Sequence, residues 1–328
     1  MAALPEASAP VLVDLRQVRA EELDALLEEE VALWNERLDW DFRPSADLVR
    51  RFVRMQALNG YALALGRTVV GYVYYVCEDR KGLIGDLYVK RDHATADNEI
   101  FLLTAALKSL RSSPRVQRVE SQLMLLSDGA RRALPLASHA RAFRRNFMMV
   151  SLNGSSPLRL GKGAGAARYD HWQEREQEEA AQLIARAYHN HVDGEINDQY
   201  RSVSGARRFL MNIVQYPGCG SFFQPASMVA LEPETGRLCG VSLASLVAFD
   251  VGHITQICVD PEVKGTGIGY ELLRRSLEAF ASNGCRCASL TVTADNDEAV
   301  SLYERTAFQT VHVFDAIVWD RLDTTRSS

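Results

Sequence analysis

The chain has 328 residues, enough for two domains at roughly 100 to 200 residues each. Its 47% hydrophobic and 24% charged residues suit a globular fold, and a net charge of −5 argues against nucleic acid or an anionic membrane as the main partner. No apolar run approaches the roughly 18 residues of a membrane helix, and the start MAALPEASAPV lacks the regions of a signal peptide, which points to a cytoplasmic protein.

In chain order, residues 11–17 read as a strand and 20–34 as an amphipathic helix. Arg43-Pro44-Ser45 opens a second helix running to Leu58, and 61–65 with 69–77 form a hairpin across Gly66-Arg67. A strand over 82–89, a helix over 99–110, a strand over 116–125, a short helical stretch and a strand over 147–152 follow. Residues 153–167, NGSSPLRLGKGAGAA, carry no hydrophobic period and have the composition of a flexible linker. The Gly161-Lys162-Gly163-Ala164-Gly165 piece lacks the spacing and the Lys-Ser/Thr ending of a P-loop.

The second half repeats the order: helices at 174–190 and 203–214, a strand at 228–231, a turn at 233–236, strands at 238–249 and 253–259, a helix at 270–282, and strands at 288–293 and 310–318. Asn283-Gly284 is the C-cap of the long helix. Gly71 matches Gly240 at an offset of 169, and Val89 matches Val259 at an offset of 170, as expected of a tandem duplication of one α+β module. The partition is 1–152, a linker over 153–167, and 168–328. The six cysteines (77, 219, 239, 258, 285, 287) show no disulfide spacing, Cys285-Arg-Cys287 is too small a set for zinc, and no metal is expected.

The informative segment is HITQICVDPEVKGTGIG, residues 253–269. A strand runs into Asp260-Pro261, then into Lys264-Gly265-Thr266-Gly267-Ile268-Gly269, and then into a long helix. Alternating glycines between a strand and a helix let backbone amides approach an anion such as a pyrophosphate, assisted by the helix N-terminus. A dinucleotide fold fits less well: the preceding strands form a meander, and no acidic residue ends a following strand about 20 residues on.

The segment resembles the acyl-CoA-binding motif of the GCN5-related N-acetyltransferase (GNAT) superfamily, Arg/Gln-x-x-Gly-x-Gly/Ala, with Lys264 at the first position and Gly267 and Gly269 in place. Asn296, Ala299, Leu302-Tyr303 and Ala307-Phe308 resemble the family's next motif, with Ala307 where a glycine is usual. The resemblance implies two tandem modules, each a mixed, mostly antiparallel sheet flanked by helices, and direct acyl transfer from acetyl-CoA to an amine. It also implies that Ile257, Cys258 and Val259 offer amides to the thioester carbonyl and pantetheine. Lys264, Gly265, Thr266, Gly267, Ile268 and Gly269 would hold the pyrophosphate, Asn296 the cofactor arm, and Tyr303 would protonate the departing thiolate. His253, six residues before the strand-ending valine, is the expected base. Cys258 reads as a core cysteine rather than a nucleophile.

In the first half the matching stretch, residues 89–99, contains no glycine and places Asp97 and Glu99 where a phosphate needs positive potential. One acetyl-CoA per chain is therefore expected, in the second half. The acceptor region is expected over 189–200, where His189, His191, Asp193, Glu195 and Tyr200 suit an aminated, hydroxylated small molecule; a solvated polar loop is the plain alternative. The segment 216–220 reads as a lid or a turn. Two further readings stay open, a protein or peptide acetyltransferase and a non-catalytic acyl-CoA sensor. The chain is expected as a monomer (an internal pseudo-dimer) or a homodimer.

Overall fold

The computed structural model describes residues 9–78, 80–154, 158–216 and 218–322. Its elements in chain order begin with β1 (Val11–Asp14), α1 (Asp24–Leu38), α2 (Arg43–Arg54), β2 (Gly60–Leu65), β3 (Thr68–Glu78), β4 (Lys81–Val89), α3 (Ala96–Ser112), β5 (Arg118–Gln122), α4 (Asp128–Arg132) and β6 (Ala140–Ser151). There follow β7 (Arg168–His171), α5 (Gln177–Ala187), α6 (Val192–Ile196), α7 (Val203–Gln215), β8 (Ser221–Phe222), β9 (Met228–Leu231), β10 (Leu238–Ala248) and β11 (Val251–Val259). The chain ends with α8 (Ile268–Ser282), β12 (Cys287–Thr293), α9 (Asp297–Arg305) and β13 (Gln309–Asp320).

Two units form. Of the described residues, the first takes 9–34, Phe42–Arg144 and 314–322; the second takes Asn35–Asp41 and Arg145–Val313. The strand order is β1-β2-β3-β4-β5-β13 in the first and β6-β12-β11-β10-β9-β7 in the second. Each unit thus completes its sheet with a strand from the other half of the sequence. Ala316–Asp320 of β13 pair antiparallel with β5, and residues 145–151 of β6 pair antiparallel with β12. The unit boundaries therefore fall inside β6 and β13, and on either side of Asn35–Asp41, rather than at the glycine-rich stretch.

The two units share a design at the same register. In the first, β3 and β4 pair antiparallel with an extra residue at Gly85, and β4 runs parallel to β5 only from Lys81 to Ile84. In the second, β10 and β11 pair with an extra residue at Thr255, and β11 runs parallel to β12 only from Val251 to Ile254. Beyond that point the parallel strands part. A bulge strengthens local twist, which is how a strand leaves its neighbour.

Burial follows the apolar spacing. Leu102, Leu103, Ala106, Leu107 and Leu110 of α3, at helical intervals, pack on Val73, Ile84, Leu87 and Trp319 in the first unit. In the second, Leu273, Leu277 and Phe280 of α8 cover one sheet face, and Ala180, Leu183, Ile184 and Leu210 of α5 and α7 cover the other. Several boundaries differ from expectation. The strand expected over 11–17 ends at Asp14, whose carboxylate accepts the Arg16 amide (2.9 Å) and starts a 3₁₀ turn. The helix expected to reach Leu58 ends at Arg54, with Gln56 at φ 54°. The one expected to reach Asn190 ends at Ala187, with Asn190 at φ 57°.

Candidate functional site

A cavity of about 1000 Å³ opens in the second unit. Its walls are the end of β11 (Ile257, Cys258, Val259), the loop and first turn of α8 (Lys264, Gly265, Gly267, Ile268, Gly269), α9 with its cap (Asn296, Leu302, Tyr303, Arg305), and Tyr188 with His191. The structure thus brings together nearly all of the residues expected to hold a cofactor.

The β11 wall owes its chemistry to register. The Asp260 amide donates to the Cys239 carbonyl (2.8 Å). By antiparallel alternation this makes Val259–Gly240 a non-hydrogen-bonded pair and turns the Cys258 amide toward β10. The amides of Ile257 and Val259 then face the side that β12 has left. The Tyr188 hydroxyl donates to the Ile257 carbonyl (3.3 Å) from that same side, as this parity requires. Of the three amides expected there, Cys258's is therefore the exception. Its thiol is buried and pushed up to about 12 by that burial, as befits a core cysteine rather than a nucleophile.

The glycine loop is shaped for close approach. Gly265 and Gly267 take φ 77° and 91°, a region that side chains resist. Gly267 caps α8 without any side-chain bond, so the first-turn amides begin without a side-chain acceptor. Lys264 lines this cradle and makes no ion pair among the described residues. Thr266 is not a wall of the cavity; its hydroxyl donates back to the Val263 carbonyl (2.7 Å).

On the far wall, Asn296 caps α9 by accepting the Ala299 amide (3.3 Å). The helix ends in a Schellman turn: the Phe308 amide donates to the Tyr303 carbonyl (3.0 Å) and the Ala307 amide to the Glu304 carbonyl (3.0 Å), with Ala307 at φ 67°. That turn brings Phe308 against Tyr303, ring centroids 5.8 Å apart. Burial, reinforced by the Asp193 charge and opposed by Arg145, holds the Tyr303 phenol well above its ordinary range and so protonated.

Beside it stands an aromatic and polar cluster. Tyr188 stacks on Tyr200 (4.6 Å, 25°) and meets the edge of His191 (5.3 Å). Gln256 donates to the Tyr188 hydroxyl (2.8 Å) and accepts from that of Tyr200 (3.2 Å). Asp193 accepts from Arg145 (2.9 Å) and from Thr293. His191 caps α6, its Nδ1 accepting the Asp193 amide (3.2 Å). His189 and Glu195 are exposed and lie outside the cavity wall.

His253 lies elsewhere. It is 6% exposed on β11, its ring stacked with Phe147 (6.1 Å, 12°), met edge-on by Trp40 (5.1 Å), and bonded through Nδ1 to Ser289 (2.9 Å). Burial lowers it to about 4, so it is neutral, but it does not line the cavity that Tyr303 lines.

Sequence reasoning missed Tyr188, Gln256, Arg145 and the cavity role of Gly161 and Lys162. Tyr188 lies one residue before the stretch singled out, and Gln256 alternates with Ile257 on the motif strand. Arg145 comes from the other half of the sequence, and no local signal marks it. Of the segment 216–220, Pro217 lies outside the described residues, as do 155–157 of the expected linker.

Residues 195–308 match the model of the acetyltransferase (GNAT) family. The chain is 28% identical to a mycothiol acetyltransferase of Acidimicrobium ferrooxidans over 282 residues, covering 80% of this chain and 83% of that protein. It is 34% identical to one of Clavibacter sepedonicus over 89 residues, where the match spans 27% of this chain and only 29% of the relative. Against several such relatives the match covers less than a third of their length. Among solved structures, a GCN5-related N-acetyltransferase from Sphaerobacter thermophilus superposes with TM-score 0.68 at 15% identity over 97% of both chains. A tandem GNAT protein of the clavulanic acid biosynthesis pathway gives 0.64 at 14% identity over 95% of this chain and 99% of that one. With the family's model matched over 195–308 and the glycine loop and parted strands in place there, this stretch of the chain is a domain of the acetyltransferase (GNAT) family, and the chain as a whole shares its fold with a tandem GNAT protein.

Proposed function

We propose that the second unit is an N-acetyltransferase moving the acetyl group of acetyl-CoA to a primary amine of a small molecule by direct transfer. One observation carries this reading: the two outward β11 amides, the glycine loop and a protonated Tyr303 all line the same cavity. These residues fit the cofactor's donor set. Unpartnered amides at a helix N-terminus and the cation of Lys264 suit a diphosphate, and the open strand edge suits an amide-bearing arm.

Acetyl-CoA supplies an acetyl group activated as a thioester. The Ile257 and Val259 amides polarise the acetyl carbonyl and align the pantetheine arm as β12 would have aligned. Tyr303 holds a proton at Oη and delivers it to the sulfur as the carbon–sulfur bond breaks and the carbon–nitrogen bond forms. Asp193 provides the negative field, felt by Tyr303, Tyr188 and Tyr200, that draws an ammonium inward. The ammonium loses one proton to water before it attacks and a second as the amide forms, and that second proton restores the Tyr303 phenol through water, because the Nδ1 lone pair of His191 is engaged by the Asp193 amide and His253 is off the wall. His191 then offers Nε2–H to an oxygen of the acceptor. Relatives named mycothiol acetyltransferase support a small-molecule acceptor over a peptide.

The test is release of free CoA thiol from acetyl-CoA against small amines, amino-sugars and peptides. Turnover with small amines is the expected result. Turnover with peptides alone would favour the protein-acetyltransferase reading, and tight acetyl-CoA binding without turnover would favour the sensor.

A further inference from the structure

We propose that residues 159–165, expected as a flexible linker, form a second wall of the diphosphate site, with Lys162 as its phosphate-binding side chain. The proposal rests on the acetyl-CoA reading above and adds a cation that lies outside the family's loop motif. Lys162–Gly165 form a short 3₁₀ turn seated against the start of α8. Four contacts fix it. The Gly161 amide donates to the buried Glu271 carboxylate, the Tyr270 hydroxyl to the Arg159 carbonyl (2.7 Å), and the Tyr169 hydroxyl to the Gly163 carbonyl (2.6 Å). At Gly163 the backbones nearly touch: a Cβ there would lie 2.3 Å from the Gly267 carbonyl oxygen.

Only a glycine at 163 lets the turn reach the residue that caps α8, and Lys162 is its neighbour. Lys162 lines the cavity with Lys264, and neither makes an ion pair among the described residues. Two ammonium groups lining one cavity with the first turn of α8, neither in an ion pair among the described residues, form a site for a doubly charged anion. This also accounts for the close packing of residues 159–165 on α8 where their composition suggests slack.

The experiment is titration calorimetry of the full chain with CoA, dephospho-CoA and pantetheine, comparing wild type with Lys162→Gln, Lys162→Arg and Gly163→Ala. Lys162→Gln is expected to weaken CoA about five- to tenfold, the size of one partly solvated charge-assisted contact. The same penalty is expected with dephospho-CoA and none with pantetheine, which lacks the diphosphate. Lys162→Arg restores binding, and Gly163→Ala reproduces the loss while keeping the charge. Wild-type binding of CoA with an unchanged Lys162→Gln affinity overturns the proposal and leaves the acetyl-CoA reading intact. A penalty that disappears with dephospho-CoA overturns the diphosphate assignment, and a wild type that binds no CoA overturns the reading beneath it.

Discussion

Tyr303 and His253 show how burial assigns different work to two groups that the sequence offers as a pair. Tyr303 is buried beside a cavity and is held protonated, which suits a proton donor. Tyr303→Phe is expected to lower kcat about a hundredfold or more while CoA affinity stays within twofold, measured by thiol release and calorimetry. His253 is buried against two aromatic rings and titrates near 4, below its ordinary 6.5. The unfolded chain therefore binds this proton more readily than the folded one. Stability is full above about pH 6.5 and falls as the pH drops toward 4, by about 3 kcal/mol in all. In His253→Phe this part of the acid limb of denaturation should flatten while turnover persists. Loss of kcat in a folded His253→Phe protein would return the base role to the imidazole.

Among the elements, the end of α9 and the start of α8 are both set by left-handed residues, one tolerated and one required. Ala307 occupies φ 67° in a Schellman turn, where a side chain costs about 1 kcal/mol. Ala307→Gly should raise stability by about that amount in urea titration, with kcat unchanged because the Phe308–Tyr303 contact is kept. Gly267 is different: at φ 91° its Cβ would also lie 2.9 Å from the Gly163 amide. Gly267→Ala should cost about 1 to 2 kcal/mol and weaken CoA at least tenfold. An alanine variant that binds CoA as tightly as wild type would refute the cradle. The glycines and their place between a strand and a helix were legible in sequence. The parity that turns the Ile257 and Val259 amides outward was not, because it depends on the bulge at Thr255 and on where β12 stops pairing.

At the scale of the whole molecule, the repeat keeps the parted strands in both units, yet the two places differ. In the first unit Thr95 caps α3 by accepting the Asn98 amide (3.3 Å), and Asp97 stands in its first turn. Asp86, which occupies the repeat position of Gln256, shares the Tyr72 hydroxyl (3.1 Å) with Glu30 (2.9 Å). Burial and the neighbouring Asp86 hold Glu30 well above its ordinary range, so the place is filled by buried carboxyls rather than opened to an anion. Calorimetry should accordingly give one CoA per chain, and two tight sites would contradict the assignment. The interchanged strands carry a second consequence. A fragment of residues 153–328 lacks the β6 residues that pair along Cys287–Thr293. Extending it back to Arg145 restores that ladder and should raise its melting temperature, whereas equal melting of the two fragments would argue that β6 adds nothing.

Local chemistry by itself determined a good deal of this protein. Apolar periodicity located most strands and helices, glycine spacing located the left-handed loop that opens α8, and the asparagine and tyrosine of the second motif marked the far wall of the cavity, because each depends on residues close in sequence. Tertiary structure alone decided the rest. It set Arg145 on Asp193 across 48 positions and removed His253 from the site by surrounding it with Trp40 and Phe147. It also pressed a stretch that reads as slack onto the first turn of α8. Those outcomes depend on which buried surfaces meet, and a one-dimensional pattern of propensities carries no record of that.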